Sequence, residues 1–186
     1  MKSYITPIRR SIQSLAYLLP FILIFNACDN KQSKSNLRNQ YINDLESYDG
    51  WQGINGYYYL KRGDAHSGQH SMQTDSVNIY GLTFVKAVKE LSENRVAKIN
   101  VSIWVKCLGT PASGSYIVSL EQGANALKYF SFDLKEKDVV LNEWVQISGS
   151  AVMPAGLPDD ALVKIYFWNK SKSVILIDDF EFRIEN

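Results

Sequence analysis

Cysteine is almost absent from this chain. Cys28 and Cys107 are the two in 186 residues, so no disulfide framework can hold it and a fold must rest on its own core. Histidine is as scarce: His66 and His70 fall inside a Gly-containing turn, without the third ligand and general base that a catalytic zinc needs. The chain also lacks a phosphate-cradling glycine loop and a nucleophile elbow, and Asp159-Asp160 sits in a Pro-containing loop. Two carboxylates could still work on a glycosidic bond if the fold set the right separation, which spacing in sequence leaves open. The expectation is a protein that is not an enzyme. Neither sign of charge dominates, with 20 Lys+Arg against 19 Asp+Glu, and no basic surface is available for a nucleic acid. Long apolar runs are missing too. The longest, residues 15–25, covers 11 residues and is broken by Pro20, short of the roughly 20 that a bilayer-spanning helix requires.

What is present starts at the N-terminus. Lys2, Arg9 and Arg10 precede the apolar run with no acidic residue among them, and Phe25-Asn26-Ala27-Cys28 closes it. This layout resembles a bacterial lipoprotein signal. The resemblance implies cleavage after residue 27, acylation of Cys28, and attachment to the cell envelope at an outer-membrane, periplasmic or surface face, where several acyl chains on one residue anchor stably. An ordinary secretory signal or an uncleaved anchor is the alternative reading. Without residues 1–27 the chain holds 17 Lys+Arg and 19 Asp+Glu. Residues 28–42 are polar and poor in core-forming side chains, as a tether would be. Residues 43–186 are then long enough for one domain with a core.

Strand signals fill that domain. Ile99, Val101, Ile103, Val105 and Cys107 alternate with Lys98, Asn100, Ser102, Trp104 and Lys106, the period of a half-buried strand. That register makes Cys107 a buried small hydrophobe. Similar runs occupy residues 116–121, 127–134, 144–153, 162–169 and 174–184, separated by Gly-, Pro- and Asn-containing breaks. Residues 86–94 allow a brief helical turn. The pattern predicts an all-β fold, an antiparallel β-sandwich.

The order of motifs carries a second resemblance. Asp44-Leu45-Glu46 and Gly50-Trp51 are followed by Ala65-His66-Ser67-Gly68-Gln69-His70-Ser71, the Trp104 strand, Trp144 before an alternating strand, and Ile177-Asp178-Asp179-Phe180. Over residues 43–185 this order resembles the galactose-binding-like jelly rolls, and more narrowly the carbohydrate-binding modules found beside bacterial polysaccharide-degrading enzymes. The resemblance implies a structural Ca²⁺ held by Glu46, the Ser67-Gly68 turn, Ser71 and Asp178, since calcium takes six to eight oxygens. Otherwise Glu46 and Asp178 accept hydrogen bonds from loop amides and Ser71. It also implies that Trp51 and Trp144 are packed in the core or at its edge.

A binding surface follows from the pleat. With Ile99, Val101, Ile103 and Val105 inside, Trp104 faces outward. Placing Val163, Ile165 and Phe167 inside avoids burying Lys164 and turns Tyr166 and Trp168 outward, to join Trp104. Phe130 and Phe132 point inward and Tyr129 outward, with Glu121 nearby. Flat rings beside hydroxyls and carboxylates suit a saccharide, whose C–H faces pack on aromatics while its hydroxyls need donors and acceptors. The competing expectation is that a loop covers Trp104 or Trp168. Tyr57, Tyr58 and Tyr59 cannot all point inward in a strand, so a loop-borne site at Tyr57 or Tyr59 is a second option. Asp75-Ser76-Val77 matches a short acidic-Ser-aliphatic pattern of bacterial O-glycosylation. The expected partner is a glycan or polysaccharide. The rival expectation is a protein partner in an envelope or polysaccharide-related complex.

Overall fold

Ten strands pair into two antiparallel sheets in the computed structural model, which describes residues 39–46, 51 and 60–186. Residues 1–27, Cys28, most of the expected tether and the Tyr57–Tyr59 run lie outside the described residues.

In chain order the elements are β1 (Gln40–Asn43), β2 (Leu60–Arg62), β3 (His70–Thr74), β4 (Tyr80–Ala87), α1 (Val88–Leu91), β5 (Lys98–Cys107), β6 (Gly114–Gln122), β7 (Asn125–Asp133), β8 (Trp144–Val152), β9 (Leu162–Asn169) and β10 (Ile175–Glu185). One sheet runs β2-β3-β10-β5-β8, with β1 pairing the far half of β10. The other runs β4-β9-β6-β7. The six runs expected after residue 97 are the six strands β5 to β10, and the expected helical turn is the four-residue α1. The fold is an all-β jelly-roll sandwich.

Alternation decides which way each strand faces. Along β5 every second residue is buried, from Ile99 to Cys107, and along β9 Val163, Ile165 and Phe167 have no exposed surface. These rows meet Tyr116, Val118 and Leu120 of β6 and Ile177, Phe180 and Phe182 of β10 between the sheets. An aromatic cluster closes one end. Tyr41 stacks on Phe182 with centroids 4.4 Å apart at 10°, and Phe84 meets Phe182 edge-on at 4.5 Å. Trp51 packs on Phe84 and Phe180 at 5.5 and 5.3 Å, as expected for a core-packing residue. Rings in such contacts contribute beyond their buried area.

One boundary differs from expectation, and one inward face is less covered than its direction implies. The tether was expected to run to residue 42, but Gln40–Asn43 already pairs with Phe180–Arg183, because Tyr41 has Phe182 to stack upon. Phe130 and Phe132 point inward yet stay half-buried, since β7 is a sheet edge. Phe132 reaches across to β8, where a side chain on Gly149 would overlap its ring. That close approach requires glycine inside a strand.

Candidate functional site

The outer face of the four-stranded sheet is built in cross-strand rows. Tyr80, Trp168, Ser115 and Asp133 form one row across β4, β9, β6 and β7. Thr83, Tyr166, Ile117 and Ser131 form the next, followed by Val85, Lys164, Ser119 and Tyr129. Directly opposed side chains in such rows lie within contact distance. Glu121 stands one outward position beyond Ser119 on β6.

Tyr166 is the hub of this face. Its ring meets Tyr80 edge to face at 5.8 Å and 76°. Burial pushes its phenol above the ordinary tyrosine range, and the neighbouring Tyr129, Tyr80 and Glu121 push it the same way. It stays protonated and able to donate at any physiological pH.

Ion pairs bracket the rings. At one end the Lys170 ammonium lies 5.4 Å over the Trp168 ring and 2.7 Å from Asp133 Oδ1. Asp133 also accepts from Ser131 Oγ at 2.8 Å and from Ser115 Oγ. Lys170 foremost, then these hydroxyls, holds the carboxyl down to about 2. At the other end Lys164 pairs with Glu121 at 2.5 Å, and Ser119 Oγ donates to the same carboxylate at 3.1 Å. Four rings therefore stand among polar groups already fixed in place. Such a field can stack apolar ring faces and exchange hydrogen bonds at their edges.

Of the five expected ligand residues, Glu121, Tyr129, Tyr166 and Trp168 come together here. Trp104 does not. It lies on β5, in the other sheet, so two strands that both face away from the core present Trp104 and Tyr166 on opposite sides of the sandwich. The competing expectation holds for Trp104 instead: the His66 ring stacks on it at 3.8 Å and 14°, while Trp144 meets His66 at 5.8 Å and 71°. Trp144 sits on the outer face of edge strand β8, opposite Lys106, whose ammonium lies 5.9 Å over the indole.

Tyr80 was missed because a register shift lies between Tyr80 and Thr83. Gly81 and Leu82 both turn inward there, so Tyr80 faces outward despite sharing the parity of the buried Leu82 and Phe84. A bulge of this kind flips every residue beyond it. The nearby glycine was the only available signal.

The residues expected to hold calcium do meet, but as a set of amide acceptors. Glu46 Oε1 accepts from the N–H groups of Gln69 and His70 at 2.6 and 2.7 Å, and its Oε2 lies 2.9 Å from His70 Nδ1. Asp178, wholly buried, accepts from His66 N–H and Ser67 N–H at 2.7 and 3.2 Å and from Asp179 N–H at 2.7 Å. Ser71 Oγ donates to the Asp64 carbonyl at 2.6 Å. Gly68 adopts a left-handed φ of +60° with Glu46 where a side chain would be. N–H groups aimed at both carboxylates repel a cation, so these residues do not fit Ca²⁺. Among the described residues no three His, Cys, Asp or Glu side chains converge on a metal-sized space.

No protein-family model and no curated protein matches the sequence. Solved structures do match in fold. A xylan-binding family 22 carbohydrate-binding module from Paenibacillus barcinonensis superposes with a TM-score of 0.54 at 13% identity, covering 80% of this chain and 99% of that one. The C-terminal family 22 carbohydrate-binding module of a Clostridium thermocellum protein gives a TM-score of 0.54 at 17% identity, over 77% and 92% of the two chains. A family 35 module from Cellvibrio japonicus gives 0.50 at 12% identity, over 80% and 99%. The domain has the fold of a carbohydrate-binding module. At these identities the likeness speaks for the fold alone.

Proposed function

We propose that this chain is a lipid-anchored cell-envelope protein whose sandwich binds a polysaccharide without catalysis, through the outer face of the four-stranded sheet. The observation that carries this reading is the convergence of Tyr80, Tyr129, Tyr166 and Trp168 on one face with Glu121 and Asp133 held by lysines. The naming of one neighbour as a xylan-binding domain makes a β-linked plant polysaccharide the first class to try. Cys28 acylation accounts for the N-terminal layout and tethers the module to a membrane surface.

A second reading, a protein partner, is favoured by one surface. Leu108, Val140 and Leu141 are 38, 55 and 44% exposed, and Asn142 N–H donates to the Cys107 carbonyl at 2.9 Å, which brings the Val140-Leu141 loop beside Leu108. Exposed apolar side chains that cluster mark interaction sites.

Affinity electrophoresis of the full chain in gels containing xylan, β-glucan, mannan or galactan separates the two. Retardation lost in Tyr166→Ala/Trp168→Ala with an unchanged near-ultraviolet spectrum supports the glycan reading. No retardation in any gel, with a protein partner co-purifying until Leu141 is made polar, supports the other. In the native host, Cys28→Ser is expected to move the chain out of the membrane fraction.

A further inference from the structure

The opposite face of the sandwich holds a trough of about 800 Å³. Two others, beside α1 and along the β7–β8 edge, enclose about 360 and 340 Å³. The floor of the trough is two cross-strand pairs of small polar residues on β5 and β8, Asn100 opposite Ser150 and Ser102 opposite Ser148. β10 and β1 supply one wall through Glu181, Arg183 and Gln40. Trp104 occupies the next outward position of β5 after Ser102, and Gln146 pairs with it on β8.

This choice of residues is not what a solvated sheet face favours. Outward positions of paired strands gain stability from β-branched and aromatic side chains opposite each other, and Asn is poor in strands. Here four small polar residues fill two consecutive rows and leave a hollow. Departures from local preference of this kind concentrate at functional positions.

The chemistry of the lining selects an occupant. Charges on the wall cancel in pairs: Arg183 Nε lies 2.7 Å from Glu181 Oε1, and Lys98 Nζ 2.7 Å from Glu185 Oε2. Gln40 donates to Glu181 at 2.9 Å, and Ser150 donates to Asn100 at 2.6 Å, so these groups are oriented in advance. Among the described residues the hydroxyls of Ser102 and Ser148 have no hydrogen-bond partner, which leaves adjacent donors and acceptors free in mid-floor. Along β5 the trough runs from Asn100 to Ser102, about 7 Å. We infer that this face is a second binding site, for an uncharged oligosaccharide segment, which makes the domain bivalent with sites on opposite faces. The site is independent of the one on the four-stranded sheet and shares with that reading only the class of ligand. Two sites on opposite faces can engage two chains of one polysaccharide, or two stretches of a long one, and gain avidity without new contacts.

Ser148→Arg tests the inference, because Ser148 is exposed on an edge strand and a long side chain there fills the trough without disturbing the core. The full chain is run in the same xylan, β-glucan, mannan and galactan gels as four forms: unaltered, Tyr166→Ala/Trp168→Ala, Ser148→Arg, and all three substitutions together. The expected result is that Tyr166→Ala/Trp168→Ala keeps residual retardation in at least one gel, and that adding Ser148→Arg weakens it about tenfold or more, as lost hydrogen bonds in a filled site would. Asn100→Ala serves as a milder second variant with the same expected direction. If Tyr166→Ala/Trp168→Ala binds nothing, or Ser148→Arg and Asn100→Ala change no retardation, the inference falls while the first site stands. If Ser148→Arg alone abolishes binding and the aromatic variant does not, the first reading falls and the inference stands. If Ser148→Arg strips a co-purifying protein and leaves every gel unchanged, the trough is a protein interface and the inference falls.

Discussion

The ring of Tyr80 meets the ring of Tyr166 edge to face, with centroids 5.8 Å apart at 76°. One residue comes from β4 and the other from β9, and the contact makes a corner on the outer face of the four-stranded sheet. It also keeps Tyr166 upright beside Tyr129.

On the proposed glycan-binding reading, removing Tyr80 acts by two routes, lost stacking and a loosened Tyr166. Because Tyr80 is 48% exposed, the core does not depend on it. Tyr80→Ala is expected to weaken binding of soluble xylan, or whichever gel polysaccharide retards the chain, by about three- to tenfold, the worth of one aromatic contact. Titration calorimetry on the full chain reads this directly. An unchanged affinity would remove Tyr80 from the site.

Asp178 should make stability depend on pH. Burial pushes its carboxyl up to about 6, against the pull of three amide N–H donors. The folded value lies above the ordinary 3.8, so the folded state holds this proton more tightly than the unfolded one. The contribution is full below about pH 4 and is lost as pH rises through about 6, a change of about 2–3 kcal/mol. Urea midpoints measured from pH 4 to 7 should fall for this reason. In Asp178→Asn the fall should be shallower and start from a lower midpoint, since one loop amide loses its acceptor. Parallel curves would show that Asp178 stays ionised across the range.

Calcium should leave the melting temperature unchanged, because Glu46 and Asp178 both accept amide hydrogens in the loop they share. Thermal melts with millimolar calcium and with EDTA are expected to coincide. Gly68→Ala should destabilise by about 1–3 kcal/mol, through its left-handed φ and the Glu46 carboxylate lying 2.5 Å from the added carbon. A midpoint several degrees higher in calcium would restore the metal site.

Tyr116 offers a change in the other direction. Its ring is wholly buried on β6, and its hydroxyl has no hydrogen-bond partner among the described residues. Leaving a buried hydroxyl unpaired costs about 1–3 kcal/mol. Tyr116→Phe keeps the ring contacts, including the one with Phe180 at 6.2 Å, and is expected to raise stability by about 1 kcal/mol or more. A drop in the urea midpoint would reveal a partner for that hydroxyl.

Much of this was legible from the residues, for reasons that differ by element. β5 and β9 alternate without interruption, so their inner and outer faces could be assigned residue by residue, down to Cys107 and Trp168. β4 could not be read this way, because its bulge reverses the parity of Tyr80. β2 and β3 span three and five residues, too short for a period to show. The Glu46 and Asp178 carboxylates were placed at the correct loop, but their role turned on whether that loop offers N–H groups or carbonyls. Backbone direction within a turn is not written in residue type.

By itself the sequence determined that the domain is all-β and, along β5 and β9, which residues form the apolar face and which rings point away from the core. Those are local properties, set by a side-chain period of two along each strand. Only the tertiary structure decided which strands share a sheet. Strand pairing is made between residues far apart in the chain, and nothing in the alternation of β5 or β9 says which neighbour each will have. Trp104 and Tyr166 follow the same outward rule and end on opposite sides of the molecule, since β5 pairs with β10 and β8 while β9 pairs with β4 and β6.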